Sequence, residues 1–187
     1  MDKNFNPDKQ HTLVKAVSIS GTGLHSGIEV DMTLKPANPG FGYQFQRTDL
    51  PGSPVIKADC DLVTDTARGT TLVKGDCKVS TVEHILAALV GMGVDNCLIE
   101  LNGPEIPIIE GSSGPFVDII SKTGVLEQDA AKVWYTIDTN ISYFDDVKKV
   151  EMTALPAVNY QITTLIDFNS PVLGTQHASL KSMKEFQ

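Results

Sequence analysis

The segment Val30-Asp31-Met32-Thr33-Leu34-Lys35-Pro36-Ala37 recurs later in the chain as Val150-Glu151-Met152-Thr153-Ala154-Leu155-Pro156-Ala157. Five of the eight positions are identical, and Tyr43-Gln44 after the first copy is matched by Tyr160-Gln161 after the second. Both copies alternate apolar and polar residues, which is typical of half-buried β-strands. An internal repeat predicts two similar units; a chance similarity between two edge hairpins is the alternative.

The two copies indicate a domain boundary in the polar segment Glu127-Gln128-Asp129-Ala130-Ala131-Lys132, which we interpret as a linker. The first unit is then a domain at residues 1–126, and the second unit covers residues 133–187. The part of the first unit beyond about residue 70 has no counterpart in the second unit. We therefore expect one complete domain and the opening strands of a second, similar domain.

Turn residues divide the first unit into short strands and two helices. The first helix is expected to begin in the capping box Ser80-Thr81-Val82-Glu83 and to end at Gly91. The second is expected to begin at Gly114-Pro115 and to end at Gly124. The predicted strands are Leu13 to Ser20, Ile28 to Leu34, Tyr43 to Arg47, Thr70 to Lys74 and Asn96 to Leu101. This pattern predicts an α+β fold, a two-layer sandwich with a mainly antiparallel sheet and two helices.

His84 lies on the side of the first helix that faces away from the core of its own domain. It is about 150° around the helix from the centre of the apolar stripe. That stripe consists of Val82, Ile85, Leu86 and Leu89. The neighbours of His84 around the helix, Ala87 and Ala88, are small enough to let another backbone approach. We therefore expect His84 at an interface, such as one with the second unit.

Two interpretations remain open for each member of the Glu83-His84 pair. Glu83 is either the last residue of the capping box or a general base beside a metal ligand. His84 is either a surface or packed residue or a zinc ligand through an imidazole nitrogen. The position four residues after His84 is Ala88, so there is no His-Glu-x-x-His motif and the helix alone cannot hold a metal.

Charge and cysteine content restrict the partners and the compartment. A formal net charge of -8 and a pI near 4.9 argue against nucleic acid or an anionic membrane surface as a partner. The first seven residues have no apolar core segment, so we expect no signal peptide, and we expect no bilayer-spanning segment either. Cys60, Cys77 and Cys97 form no Cys-x-x-Cys pattern, which favours reduced thiols in the cytoplasm.

The segment Ser80-Thr81-Val82-Glu83-His84-Ile85-Leu86-Ala87-Ala88-Leu89 resembles the signature helix of the UDP-3-O-acyl-N-acetylglucosamine deacetylases. Further matches occur in the order of that family: Gly21-Thr22-Gly23-Leu24-His25-Ser26-Gly27, Arg47-Thr48-Asp49, Asp65-Thr66, Arg68-Gly69-Thr70, Asp95-Asn96, Gly103-Pro104-Glu105-Ile106-Pro107-Ile108, Gly114-Pro115-Phe116-Val117 and Ile166-Asp167-Phe168. The resemblance implies two similar α+β domains and a cytoplasmic zinc hydrolase of Gram-negative bacteria. Such an enzyme removes the N-acetyl group of a UDP-linked acylated sugar, the committed step of lipid A and lipopolysaccharide biosynthesis.

The resemblance also assigns roles to individual residues. It makes His84 a ligand of Zn²⁺ and Glu83 the general base. It suggests weaker substrate-binding roles for a second group, which consists of Leu24, His25, Arg68 and Gly69. A structural turn position for His25 and an exposed loop position for Arg68 are the alternatives.

Several functional residues of the family have no counterpart in this chain. The family's other zinc ligands, a His and an Asp of the second domain, and its catalytic acid histidine are missing, and His177 lies outside any His-Lys-x-x-Asp motif. We therefore expect an incomplete zinc site, no turnover by this chain and a tendency to self-associate. The full-length enzyme is expected to be a monomer. The alternative function is a non-enzymatic α+β module that binds a partner through the alanine face of the first helix.

Overall fold

The computed structural model describes residues 6–186, and the chain divides between Lys132 and Val133 into two units. The strands of the first unit are β1 (Lys9–Leu13), β2 (Val17–Thr22), β3 (Glu29–Pro36), β4 (Tyr43–Arg47), β5 (Val55–Lys57), β6 (Val63–Asp65), β7 (Thr71–Lys74), β8 (Cys77–Val79), β9 (Cys97–Leu101) and β10 (Val125–Ala131). Its helices are α1 (Glu83–Gly91) and α2 (Gly114–Thr123), with a 3-10 turn at Cys60–Leu62. Neither helix is long and apolar enough to cross a membrane, as judged over residues 6–186.

A five-stranded sheet in the order β2-β3-β9-β4-β5 forms one layer of the first unit. Its neighbouring strands are antiparallel, except for the parallel pair β4 and β9. Along β3, Val30, Met32 and Leu34 are buried, whereas Asp31 is exposed on the opposite face. The same hydrophobic core contains side chains of both helices, namely Ile85, Ala88, Leu89, Phe116 and Ile120. This arrangement confirms the predicted α+β sandwich with a mainly antiparallel sheet.

The start of α1 differs from the predicted capping box. The helix begins at Glu83, and no side chain caps its first turn. The Ser80 hydroxyl lies 3.3 Å from the Thr71 hydroxyl, and the Glu83 carboxylate accepts a hydrogen bond from the Thr70 amide. The prediction of a capping box is wrong. The Ser80 side chain bonds to Thr71 in β7 instead, and the Glu83 side chain bonds to Thr70, which lies just before β7.

The ends of the helices agree with the prediction at α2 and differ at α1. α2 has Pro115 in its first turn and is followed by Gly124 at a φ of +86°, as predicted. Gly91, the predicted stop of the first helix, is still helical. The left-handed conformation is taken by Gly93, whose φ is +71°.

The predicted alanine face of α1 is divided between the core and the surface. Ala88 is fully buried, whereas Ala87 is exposed. The buried side of α1 is therefore wider than the stripe inferred from the sequence, and only part of the alanine face is open to a partner.

The predicted linker Glu127-Gln128-Asp129-Ala130-Ala131-Lys132 belongs almost entirely to β10, which pairs antiparallel with β1. Gln128 shows why polar residues form a strand at this position. Its Nε2 donates to the Ala37 carbonyl oxygen, and its Oε1 accepts from Asn96 Nδ2, each at 2.8 Å. The linker interpretation is wrong, and the first unit extends to Lys132 instead of ending at residue 126.

The first predicted strand, Leu13 to Ser20, is two strands. β1 ends at Leu13 and pairs with β10, whereas β2 begins at Val17 and forms the edge of the five-stranded sheet. The alternation of apolar and polar residues gave no sign of this change of sheet. The short strands β5, β6 and β8 were also not predicted.

The second unit contains β11 (Ile141–Asp145), β12 (Val150–Ala154), β13 (Ile162–Asp167) and β14 (Thr175–Leu180), with a 3-10 turn at Met183–Glu185. Within residues 133–186 these strands form two separate antiparallel hairpins, β11-β12 and β13-β14. The first unit has comparable hairpins, β2-β3 and β4-β5, which β9 joins into one sheet. No strand in the described part of the second unit joins its hairpins in this way.

Candidate active site

The Glu83-His84 pair lies at the first turn of α1 and is partly open to solvent. Oε1 of Glu83 lies 4.0 Å from Nε2 of His84, and the side chains are 39% and 27% exposed. Ile85 and Leu89 bury the opposite side of the helix in the core. The packing of α1 therefore presents a carboxylate and an imidazole side by side, away from the core.

The loop between β6 and β7 runs alongside Glu83. The backbone amide of Thr70 donates to Oε2 of Glu83 at 2.8 Å. A Cβ atom placed on Gly69 would lie 3.5 Å from Oε1 of Glu83 and 3.4 Å from Oγ1 of Thr81. Glycine at this position leaves the space beside the carboxylate open.

His25 reaches the same loop from the turn after β2. Its Nε2 lies 2.9 Å from the carbonyl oxygen of Arg68. A carbonyl oxygen can only accept, so Nε2 carries the proton and donates it. The ring also lies close to Gly69, since a Cβ there would be 3.8 Å from His25 Nε2. The structure thus brings three of the sequence-predicted positions, His25, Gly69 and Glu83, to one place.

The other two predicted substrate-binding residues are less closely involved. Leu24 is 58% exposed and does not line the cavity that opens beside His25 and Gly69. Arg68 contributes its backbone carbonyl to His25 and is itself exposed, with a φ of +67°. Arg68 therefore occupies the exposed loop position that was the alternative to a substrate-binding role.

Glu105 belongs to this region, although the sequence indicated no role for it. Only 2% of the residue is exposed. Its carboxylate accepts hydrogen bonds from the backbone amides of His25 and Ser26 and from the Thr81 hydroxyl, at 2.7–3.1 Å. Burial alone raises the pKa of the Glu105 carboxyl, but these donors outweigh burial and hold that pKa below its ordinary value. A sequence signal existed, because a glutamate within an apolar segment must be exposed or well paired.

A cavity of about 280 Å³ opens beside these residues. Its lining includes His25, Gly69, Thr81 and Glu105, together with the charged residues Asp65 and Lys78. Glu83 is not part of the lining, but its neighbours Gly69 and Thr81 are. The cavity therefore adjoins the Glu83-His84 pair and has polar walls.

The described residues place no complete set of metal ligands around His84. Within residues 6–186, no three His, Cys, Asp or Glu ligand atoms come together around His84. The one such group in this range, Asp59, Cys60 and Asp61, lies elsewhere, and Asp59 already accepts from the Asp61 amide. A catalytic zinc ion takes three protein ligands, so His84 can provide one ligand of such a site and not the whole of it.

Comparison with known proteins shows similarity along almost the whole chain. The family model described as LpxC: UDP-3-O-acyl N-acetylglycosamine deacetylase matches residues 10–187. The "Bifunctional enzyme LpxC/FabZ" of Chlorobaculum tepidum is 46% identical over 178 residues, which are 95% of this chain and 38% of that protein. The "UDP-3-O-acyl-N-acetylglucosamine deacetylase" of Myxococcus xanthus is 46% identical over 171 residues, covering 91% of this chain and 54% of the relative. A protein of the same name from Methylococcus capsulatus is 43% identical, covering 92% of this chain and 57% of the relative. The chain thus spans between 38% and 57% of the length of these relatives.

Proposed function

Because the chain belongs to the UDP-3-O-acyl N-acetylglycosamine deacetylase family, we propose that it forms part of an enzyme that hydrolyses the N-acetyl group of UDP-3-O-acyl-N-acetylglucosamine. The reaction is zinc-dependent in this proposal and is the committed step of lipid A biosynthesis in a Gram-negative bacterium. The place of the reaction is the cytoplasm, in keeping with three cysteines that are all free.

The observation that carries the proposal is the Glu83-His84 pair at the start of α1. Its carboxylate and imidazole are adjacent, partly exposed and next to a polar cavity. A carboxylate with one oxygen fixed by a backbone amide can accept a proton from water at its other oxygen in a defined direction. Glu83 has this arrangement, because Thr70 holds Oε2. We assign it the role of general base.

His84 is the proposed zinc ligand in the described residues. Zinc supplies a Lewis acid that polarises an amide carbonyl and lowers the pKa of water. The backbone of His84 bonds to the residue just before α2, since its carbonyl oxygen accepts from the Ser113 hydroxyl at 3.0 Å. This contact steadies the backbone that carries the imidazole. His25, Gly69 and, more weakly, Leu24 and Arg68 are proposed to meet the UDP-sugar.

The chain by itself is proposed to be inactive. His84 is its single proposed ligand, and within residues 6–186 it belongs to no group of three ligand-type side chains that could hold a metal. A metal held by one imidazole is bound weakly and does not stay in place through a catalytic cycle.

The test compares this chain with a chimera in which it is followed by the remaining C-terminal part of the Myxococcus xanthus relative. Zinc affinity and release of acetate are measured for both proteins and for a His84→Ala variant of each. The matched control is His177→Ala, which removes an exposed histidine of β14. We expect tight zinc binding and deacetylation only in the chimera, abolished by His84→Ala and retained in His177→Ala. Zinc binding that survives His84→Ala would remove the proposed ligand, and a chimera with neither property would favour the partner-binding module.

Glu83→Gln in the same chimera separates the base from the ligand. Glutamine keeps an oxygen for the Thr70 amide but cannot accept a proton. We expect kcat to fall about 10²–10⁴-fold, while zinc content stays the same by metal analysis. An unchanged kcat would contradict the assignment of Glu83 as general base.

A further inference from the structure

Glu105 is the most enclosed carboxylate near the candidate active site, and it has no part in the proposed chemistry. It lies just beyond β9, and its side chain reaches into the space between the turn after β2 and the start of α1. Three donors from two separate segments meet at its oxygens, namely the His25 amide, the Ser26 amide and the Thr81 hydroxyl. The close fit involves Gly23 as well, because a Cβ there would lie 2.6 Å from Oε2 of Glu105. These contacts fix the turn that carries His25.

The contacts of Glu105 continue to Glu83 through His25. The turn held by Glu105 directs the His25 ring towards the Arg68 carbonyl oxygen, to which Nε2 donates at 2.9 Å. Two residues further along, the Thr70 amide donates to Oε2 of Glu83 at 2.8 Å. The position of the Glu83 carboxylate is therefore tied to Glu105 by a continuous series of hydrogen bonds and a short loop.

Thr81 provides a second connection between the same two carboxylates. It is two residues before Glu83 and has a φ of +61°, which is unfavourable for a β-branched residue. The hydrogen bond from its Oγ1 to Oε1 of Glu105, at 2.9 Å, holds it in that conformation. A Cβ on Gly69 would be 3.4 Å from the same Oγ1, so Thr81 also limits where the loop beside Glu83 can lie.

We propose that Glu105 is a positioning residue, which sets the place of His25 and of the residue 68–70 loop against Glu83. It touches neither the proposed metal nor the reacting atoms. The inference rests on the proposed function only for the role of Glu83 as general base. The hydrogen-bond network itself is tested by measurements that need no catalysis.

The experiment is NMR spectroscopy of the whole chain and of its Glu105→Gln variant. Glutamine keeps the shape of the side chain but places an amide group against donors. In the wild-type protein we expect a nuclear Overhauser effect between the His25 ring and the α-protons of Gly69, and slow exchange of the Thr70 amide hydrogen. In Glu105→Gln we expect the nuclear Overhauser effect between His25 and Gly69 to disappear. Exchange of the Thr70 amide hydrogen should become at least about tenfold faster. The amide of Phe45, in the middle of the five-stranded sheet, is expected to exchange at the wild-type rate.

The control variant is Glu100→Gln on β9, whose carboxylate pairs with Lys35 and has no bond to this network. It is expected to change neither signal. If Thr70 and Phe45 exchange faster by the same factor in Glu105→Gln, Glu105 is only a structural residue and the proposal fails. If Glu105→Gln does not fold, Thr81→Ala removes one bond of the network and is expected to accelerate Thr70 exchange in the same direction. Absence of the His25–Gly69 signal in the wild-type protein would overturn the proposal whatever the variants do, and an inactive chimera would leave it standing.

Discussion

At the scale of single residues, the buried carboxylate of Glu105 links the stability of the first unit to pH. Its pKa is held below the ordinary value of 4.5, because its hydrogen-bond donors outweigh the opposing effect of burial. A carboxyl group whose folded pKa is lowered adds stability above its unfolded pKa and loses it as the pH falls through the folded pKa.

We therefore expect Glu105→Gln to reduce the free energy of unfolding by about 1–3 kcal/mol near neutral pH. The difference from the wild-type protein is expected to shrink as the pH falls below 4.5. Urea unfolding at a series of pH values measures this difference. Asp129→Asn is the comparison, because that carboxylate pairs with Lys9 on the surface and its removal is expected to change stability little. A Glu105→Gln difference that grows on acidification would contradict the expected direction.

The three cysteines are predicted to differ in reactivity. Burial raises the pKa of the Cys97 thiol to about 12 and also raises that of Cys77, whereas Cys60 is exposed. Because the thiolate is the reactive form, a thiol-specific disulfide reagent should modify Cys60 rapidly in the folded protein. The other two should react only after denaturant is added. Cys60→Ser should remove the rapid phase, and a rapid phase that persists would show that a buried thiol is accessible.

At the scale of the elements, side-chain amides add to the backbone pairing that holds β10 against the first unit. Gln128 bonds to both Asn96 and Ala37, and Asn96 is 1% exposed. Gln128→Ala leaves the buried Asn96 amide with one partner fewer.

We expect this substitution to lower the free energy of unfolding by about 1–3 kcal/mol, since a buried polar group left without its partner bears the cost of desolvation. The measurement is the urea midpoint of the first unit, followed by the helical signal in far-ultraviolet circular dichroism, since α1 and α2 both lie in that unit. Glu127→Ala, at the adjacent exposed position of the same strand, is the control. It should lower the free energy of unfolding much less. If Gln128→Ala and Glu127→Ala lower the free energy of unfolding equally, the loss comes from the low strand propensity of alanine and not from the broken amide bonds.

At the scale of the whole molecule, exposed apolar residues are concentrated in the second unit. Of the 24 large apolar side chains that are exposed within residues 6–186, 18 lie after Lys132. On the β11-β12 hairpin Ile141, Tyr143, Val150 and Met152 share one face, whereas Phe144 lies on the other. Contiguous apolar surface of this kind promotes association.

We therefore predict that the chain self-associates in solution. Met152→Lys places a charge in the apolar face and should raise the dissociation constant about tenfold or more, because burial of a methionine contributes about 1.5–3 kcal/mol. Thr153→Lys, on the other face of β12, is the matched control and should leave association unchanged. Sedimentation velocity over a range of concentrations distinguishes the two. A wild-type protein that sediments only as a monomer would refute the prediction.

The sequence by itself determined the features that depend on neighbours along the chain. The alternation at Val30, Met32 and Leu34 identified β3 and its buried face, because side chains of a strand point alternately to opposite sides. Proline and glycine marked the limits of α2, because their backbone preferences act locally. The Glu83-His84 pair was identified from a ten-residue motif, and the relatives confirm the family that the motif indicated.

Tertiary structure alone decided where polar side chains find their partners. Ser80 and Glu83 had the pattern of a local cap, but Thr71 and Thr70 provide partners on and beside a neighbouring strand. Gln128 lay in a segment whose composition indicated a linker, yet Asn96 makes it part of a strand. Glu105 bonds to residues about 80 positions away along the chain. Hydrogen bonds depend on distances in space, and no pattern of neighbouring residues specifies them. The sequence therefore indicated the family, whereas the fold supplied the contacts around Glu83, Gln128 and Glu105.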